Sequence, residues 1–270
     1  MTTHLDEILA ATRRDLVLRK QTADLAAMES RAAAHTPRGF ALALRHHSAA
    51  QPAIIAELKK ASPSRGLIRA DFQVASLAAG FAHAGAAALS VLTDERFFQG
   101  SLANLEQASS SVSIPCLRKD FIVDEFQLLE ARAARADAIL LIAAALDNAT
   151  LRRLTRAAQA LNLDVLCEVH DAEELNRVLD LGCDAIGVNN RNLRTFDVRI
   201  ETSLELASRL PQGLVRVAES GIHTAADITR LRTAGFDAFL IGESLMRQPD
   251  PGQALASLLA ASSTEREVPA

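Results

Sequence analysis

The chain has few cysteines and no pair of them at metal-binding spacing. Its 270 residues include three, Cys116, Cys167 and Cys183, which is an odd number without a C-x-x-C motif. Disulfide-rich secreted domains and zinc-binding domains use paired cysteines at short, regular spacings. The sequence therefore predicts neither a disulfide framework nor a metal site, and it favours a reducing, cytoplasmic setting.

Long apolar runs and a strong charge of either sign are also absent. No stretch approaches the roughly 20 apolar residues that cross a bilayer, and the N-terminal sequence MTTHLDEILAATRRDLVLRK lacks the apolar core of a signal peptide. The formal net charge is only −4, which gives no polyanion-binding surface. We expect no membrane or nucleic-acid partner, and a monomer or weak oligomer that acts on a small molecule.

Eight short apolar runs recur after about 50 residues of helical pattern, and a helical segment follows each run. Parallel strands need such helical crossovers, and eight strand–helix units predict an α/β protein with a single (β/α)8 barrel of the TIM type. A doubly wound open sheet is the alternative, but no G-x-G-x-x-G follows the first run. The runs are AIIAEL (53–58), AALSVL (87–92), IPCLRK (114–119), DAILLI (137–142), DVLCEV (164–169), DAIGVN (184–189), LVRVAE (214–219) and DAFLIG (237–242).

The chain divides into three parts on this interpretation. Residues 1–50 form an N-terminal helical extension that caps the barrel, 51–262 form the barrel, and 263–270 form a frayed tail. The 49% hydrophobic content is ample for one large core.

Charged and amide side chains stand where the apolar runs end. Active sites of this fold lie at the carboxyl ends of the strands, and alternation along a strand points Glu57 and Lys59 to the same face. Each such residue alone is an ordinary polar strand terminus, but together they predict an acid–base cluster at one barrel mouth. The candidate catalytic residues are Glu57, Lys59, Lys119, Glu168, Asn189 and Glu219.

Glycine turns after the seventh and eighth runs indicate a phosphate site. The sequence ESGI brings Ser220 and Gly221 to one turn, and IGES brings Gly242 and Glu243 to the other. Glycine lets the backbone approach a ligand, and free N–H groups at a helix start favour an anion. Ser62, in the loop after the first run, adds a hydroxyl, and Ser64 and Arg65 follow it.

Seven segments, in order, resemble the indole-3-glycerol phosphate synthase family. They are IIAELKKASPSRG, LTDERFFQGS, CLRKDFIVDEFQL, LCEVHDAEEL, IGVNNRNLRTF, VAESGI and FLIGESLM, and they span about residues 53 to 247. The resemblance implies a carboxy-lyase of tryptophan biosynthesis. Its substrate would be 1-(2-carboxyphenylamino)-1-deoxyribulose 5-phosphate, converted to indole-3-glycerol phosphate with loss of CO₂ and water.

The resemblance also implies roles for the polar residues. Lys119 would be the general acid for ring closure, Lys59 would pair with the substrate carboxylate, and Glu57 would orient Lys59. Glu168 and Glu57 suit the dehydration step, and the division of the proton transfers among these four residues stays open.

The remaining implied roles concern binding. Asn189 and Glu219 would hold sugar hydroxyls or tune the lysines, and Arg191 would assist the carboxylate. The phosphate would be held by Ser62, Ser220, Gly221, Gly242 and Glu243, and the apolar wall would be formed by Phe98, Phe121 and Leu193. No metal or organic cofactor is implied, and the seven histidines are interpreted as surface or helix residues.

Two other functions use the same barrel. An isomerase of the phosphoribosyl-anthranilate type would need a Cys/Asp pair at strand ends, whereas Cys116 and Cys167 are out of phase with the inward positions. A non-catalytic phosphosugar-binding subunit would keep the glycine turns and lose Lys59, Lys119 or Glu168, and all three are present.

Overall fold

Eight parallel strands close into a barrel in the computed structural model, which describes residues 3–193 and 195–264. Each strand pairs with its neighbours in the chain, and the last pairs with the first from Ala53↔Ala238 to Ala56↔Ile241. The predicted (β/α)8 barrel is therefore confirmed. The strands are β1 Ala53–Leu58, β2 Ala88–Leu92, β3 Cys116–Lys119, β4 Ala138–Ile142, β5 Asp164–Val169, β6 Ala185–Asn189, β7 Val215–Glu219 and β8 Ala238–Ile241.

Helices surround the barrel and connect its strands. Two short segments after β1, Ala61–Ser62 and Gly66–Leu67, pair with each other in antiparallel fashion. None of the helices in the described ranges is both long and apolar enough to cross a membrane. The helices are α1 His4–Thr22, α2 Leu25–Ala33, α3 Phe40–Ala50, α4 Val74–His83, α5 Glu95–Phe98, α6 Leu102–Ser111, α7 Glu125–Ala133, α8 Asn148–Ala160, α9 Ala172–Val178, α10 Glu201–Leu206, α11 Ala225–Thr233, α12 Glu243–Met246 and α13 Pro251–Thr264.

Side-chain caps start the helices soon after the strands end. The side chains of Ser101, Asp124, Asp147, Asp171 and Thr224 each accept a backbone N–H of the helix that follows. Such a cap contributes about 1 kcal/mol and fixes where the chain turns back. The loops at the carboxyl ends of the strands are therefore short and defined, apart from the longer loops after β1 and β6.

The apolar side chains form two layers, because alternate strand residues face opposite sides of the barrel wall. Leu117, Leu166 and Val217 fill the interior, whereas Cys116 and Cys167 are buried between strands and helices. The prediction that these two cysteines do not point into the barrel is thus confirmed.

The N-terminal helices reach both ends of the barrel. Phe40 and Leu44 of α3 are fully buried against the residues that begin the strands, and the Ala41 N–H donates to the Asp164 carboxylate at 2.8 Å. The first turn of α1, with His4, lies instead at the opposite, carboxyl end. The division of the chain at residue 50 stays a prediction. In the predicted tail, α13 continues to Thr264, and 265–270 lie outside the described residues.

Candidate active site

A cavity of about 310 Å³ opens at the carboxyl ends of the strands. All of the residues proposed from the sequence as catalytic or substrate-binding line it, and their chemical roles stay predictions. They are Glu57, Lys59, Ser62, Phe98, Lys119, Phe121, Glu168, Asn189, Arg191, Leu193, Glu219, Ser220, Gly221, Gly242 and Glu243.

Lys119 connects two carboxylates in this cavity. It ends β3, and its ammonium group donates to Glu168 Oε2 at 3.1 Å and to Glu219 Oε2 at 2.8 Å. Burial opposes the charge on Lys119, but the carboxylates of Glu219, Glu168 and Glu57 outweigh that effect and raise its pKa. Lys119 is therefore protonated and positively charged at neutral pH.

The two carboxylates that share Lys119 differ in their affinity for a proton. Burial raises the pKa of Glu168, but Lys119 and then His170 outweigh burial and hold that pKa well below its usual range. Burial and the neighbouring Glu168 raise the pKa of Glu219 to about 7, although Lys119 opposes the shift. One ammonium group thus keeps Glu168 ionised and leaves Glu219 close to half-protonated at neutral pH.

Glycine makes room for Glu219. Its second oxygen, Oε1, is buried, has no hydrogen-bond partner within the described part of the chain, and lies against Gly187 of β6. A Cβ at Gly187 would collide with this oxygen. The small residue therefore lets the carboxyl group sit inside the barrel wall.

Glu57 and Lys59 form a second ion pair at the end of β1. Lys59 Nζ lies 2.5 Å from Glu57 Oε2, and Glu57 is buried. The shared face that the sequence predicts for these residues is confirmed. Gly242, which follows β8, packs against Glu57, since a Cβ there would lie 2.9 Å from Glu57 Cβ.

Small and hydroxyl residues line the side of the cavity formed by β1, β7 and β8. Ser62 is buried, and its hydroxyl has no hydrogen-bond partner among residues 3–193 and 195–264. Ser220 and Gly221 both have left-handed backbones, with φ of 65° and 75°. Arg65 Nε lies 3.3 Å from Glu243 Oε1. The Ser62 hydroxyl and the Arg65 guanidinium group thus lie on the same side of the cavity as the glycine turns at Gly221 and Gly242.

Apolar side chains form the opposite wall. The rings of Phe98 and Phe121 lie 6.2 Å apart, and Leu193 and Phe121 pack on the interior core below them. Asn189 Oδ1 accepts the N–H of Arg191 at 3.0 Å, which fixes the amide at the rim. The cavity therefore has a charged centre, a polar side and an aromatic side.

The model of the indole-3-glycerol phosphate synthase family matches residues 5–258. The chain belongs to this family. Its relatives include an indole-3-glycerol phosphate synthase of Koribacter versatilis, 60% identical over 96% of this chain and all of that protein. Another, from Albidiferax ferrireducens, is 50% identical over 96% of this chain and 99% of that protein. The lyase class implied by the seven sequence segments is confirmed.

Similar solved structures extend the likeness to the fold alone. A mandelate oxidase has a TM-score of 0.61 and 20% identity over 79% of this chain and 73% of its own. KGPDC from Streptococcus mutans has a TM-score of 0.61 and 11% identity over 79% of this chain and 98% of its own. The indole-3-glycerol phosphate synthase fold is thus shared with barrels of other families.

Sequence reasoning missed the apolar floor of the synthase cavity. Leu140, Ile142 and Leu240 line it from β4 and β8, and Phe196 and Ile8 add to its rim. The alternation that identified the charged residues also points Leu140 and Ile142 into the barrel. They are apolar, so a search for polar strand ends does not find them.

The interpretation of all histidines as surface or helix residues is wrong for two of them. His35 is buried against Asp137, with Nε2 3.1 Å from Oδ1, and His170 lies beside Glu168 with only 11% of its side chain exposed. His170 follows Glu168 by two residues, so strand alternation was the signal that could have identified it.

Proposed function

We propose that the chain is an indole-3-glycerol phosphate synthase that closes the indole ring of 1-(2-carboxyphenylamino)-1-deoxyribulose 5-phosphate. The observation that carries this proposal is the Lys119 ammonium group, held at the barrel mouth by two buried carboxylates. Family membership supplies the substrate, and the geometry of the site is compatible with each step.

The substrate would lie across the cavity with its three groups in three environments. Its carboxylate would meet Lys59 and Arg191, and its aromatic ring would occupy the apolar side with Phe98, Phe121 and Leu193. Its phosphate would accept from the Ser62 hydroxyl and from the backbone at Ser220, Gly221, Gly242 and Glu243. Sugar hydroxyls would then face Asn189 and Glu219. An unpartnered buried hydroxyl supports the phosphate assignment, because such a group is costly without a ligand.

Ring closure joins the aromatic carbon that bears the carboxylate to the ribulose carbonyl carbon. Lys119 would donate a proton to the carbonyl oxygen as the new bond forms, which is the role of a general acid. The ring is left cationic until CO₂ departs, and the electron pair of the broken bond restores its aromaticity. Lys119 is charged and lies against the mouth, as this step requires.

Dehydration then removes the new hydroxyl group and one hydrogen from the adjacent carbon. The hydroxyl leaves as water after protonation, and a base takes the hydrogen. Glu168, which is ionised, and Glu57 are the carboxylates available as the base, and Lys59 and Lys119 are the ammonium donors. In the free protein Lys59 contacts Glu57, so a substrate carboxylate at Lys59 would release Glu57 to act.

The test is an assay of the purified chain for indole fluorescence from the carboxyphenylamino substrate. The chain has no tryptophan or tyrosine, so the product signal has no background from these residues. We expect product in proportion to enzyme, and loss of it in Lys59→Met. The neighbouring Lys60→Met is the matched control, since Lys60 does not line the cavity. Folded wild-type protein that yields no signal over buffer would favour the non-catalytic function.

The proposal extends to the working form of the enzyme. The proposed form is a monomer or weak oligomer that acts on a small molecule. The three cysteines are free and buried, which suits the reducing cytoplasm. Light scattering after size exclusion tests the oligomeric state, and a stable tetramer would contradict it.

A further inference from the structure

His170 and Glu174 form a clamp behind Glu168. His170 Nε2 lies 3.3 Å from Glu168 Oε1, and His170 Nδ1 lies 3.0 Å from Glu174 Oε2. The backbone N–H of His170 donates to the same Glu174 oxygen at 2.8 Å. Glu174 is in the first turn of α9, where its own N–H donates to the Asp171 cap. The imidazole is therefore fixed from two sides.

Each oxygen of Glu168 faces a different basic side chain. Oε2 accepts from Lys119, and Oε1 lies next to the His170 ring. Nε2 is buried and makes no hydrogen bond within the described part of the chain, so a charged ring would act on Glu168 by attraction across 3.3 Å, while Nδ1 is hydrogen-bonded to Glu174. Carboxylates within 3.3 Å of both ring nitrogens favour the doubly protonated, charged imidazole.

The surroundings of His170 support that protonation state. Burial opposes the charge, but the carboxylates of Glu168 and Glu174 outweigh burial and raise the pKa of His170 to about 10. Glu168 lies on its own strand and Glu174 on α9, while Lys119 and Glu219 face Glu168 from β3 and β7. His170 and Glu174 do not line the cavity, so the clamp acts through Glu168 and not on the substrate.

We propose that His170, held by Glu174, is a positioning residue that keeps Glu168 ionised and turned toward Lys119. The inference rests on the proposed synthase function and adds two residues to its site. Loss of the imidazolium proton would remove one of the two cations that hold Glu168. Activity should therefore fall at alkaline pH where His170 deprotonates.

Two variants and one control test the clamp by kinetics. We expect His170→Gln to lower kcat at least about tenfold with KM changed less than twofold. We expect Glu174→Gln, which keeps an oxygen for the helix start, to move the alkaline limb of the kcat profile down by about one pH unit or more. The exposed His46→Gln should change neither. A merely structural effect would reduce activity equally at every pH.

Nuclear magnetic resonance of ¹⁵N-labelled histidine gives a readout that does not need turnover. One ring, absent from His170→Gln, should stay doubly protonated up to about pH 9, and in Glu174→Gln it should titrate lower. Titration of this ring near the ordinary value of about 6.5 would overturn the clamp. So would wild-type kinetics in both variants of an active enzyme. If the His170 ring stays doubly protonated to about pH 9 but the wild-type protein forms no product, the result would instead contradict the proposed function.

Discussion

Replacing Gly242 with alanine probes the contact between the end of β8 and Glu57. The added Cβ would lie 2.9 Å from Glu57 Cβ, whereas nonbonded carbons pack about 3.5–4.0 Å apart. Glu57 Cβ is attached to the backbone of β1, so rotation of the carboxylate cannot relieve the clash. The two strands must separate by roughly 0.6–1 Å at this end.

The cost follows from overpacking a buried contact. Such insertions cost about 1–3 kcal/mol, and one kcal/mol corresponds to about 2–4 °C in a chain near this size. We expect the melting temperature of Gly242→Ala to fall by about 2–12 °C. Under the proposed function kcat should also fall at least about tenfold, because Glu57 would move away from Lys59.

Circular dichroism and the indole assay measure the two effects. Far-ultraviolet dichroism follows unfolding without tryptophan or tyrosine, which this chain lacks. Gly80→Ala in α4 is the control, since a Cβ there would meet no described atom within 4 Å beyond its chain neighbours and its own helix backbone. It should be neutral or stabilising by up to about 1 kcal/mol. Wild-type melting and wild-type kcat in Gly242→Ala would refute the reasoning.

Three further outcomes follow from the buried charges. Lys119→Met should abolish indole formation in the assay while the chain keeps its dichroism spectrum, and near-normal turnover would rule out the general-acid role. The pKa of Glu219 is raised to about 7 in the folded protein, so its contribution to the free energy of unfolding should decline as pH rises from about 4.5 to 7. In urea unfolding, Glu219→Gln should lack this decline. A pH profile identical to that of the wild type would contradict the prediction. Arg118→Met should lower the free energy of unfolding in urea by about 3–5 kcal/mol, since it leaves the buried Asp120 without its cation. Arg153 is half-exposed, and Arg153→Met should lower it by under about 1 kcal/mol. Equal losses in the two variants would refute the argument.

Much of the fold and of the site could be predicted because strand alternation is a local property. Glu57 and Lys59 are two residues apart, so their common face requires only that the segment is a strand. The parallel barrel then brings Lys119, Glu168 and Glu219 to one mouth, since each is the last or the next-to-last residue of its strand. These predictions need the period of the pattern and the direction of the strands, and both can be derived from the sequence.

The partners of each group could not be predicted in the same way. Lys119 contacts Glu168 and Glu219, which lie 49 and 100 residues away, so the unequal sharing of one ammonium group depends on side-chain positions across the barrel. The role of Gly242 illustrates the same limit. Its sequence context indicates a phosphate turn, whereas its closest neighbour in the structure is Glu57.

Arg118, on the opposite face of β3 from Lys119, is another residue whose partners could not be predicted from the sequence. Alternation places it among the apolar side chains between strands and helices, where a guanidinium group is costly without partners. It is fully buried, and it donates to the Asp120 carboxylate at 2.9 Å, the Gln127 carbonyl at 2.5 Å and Glu130 at 3.2 Å. These acceptors come together only when α7 packs on β3. Because Arg118 and Lys119 project from opposite sides of one strand, the network behind the wall fixes the strand end that presents Lys119 to the cavity.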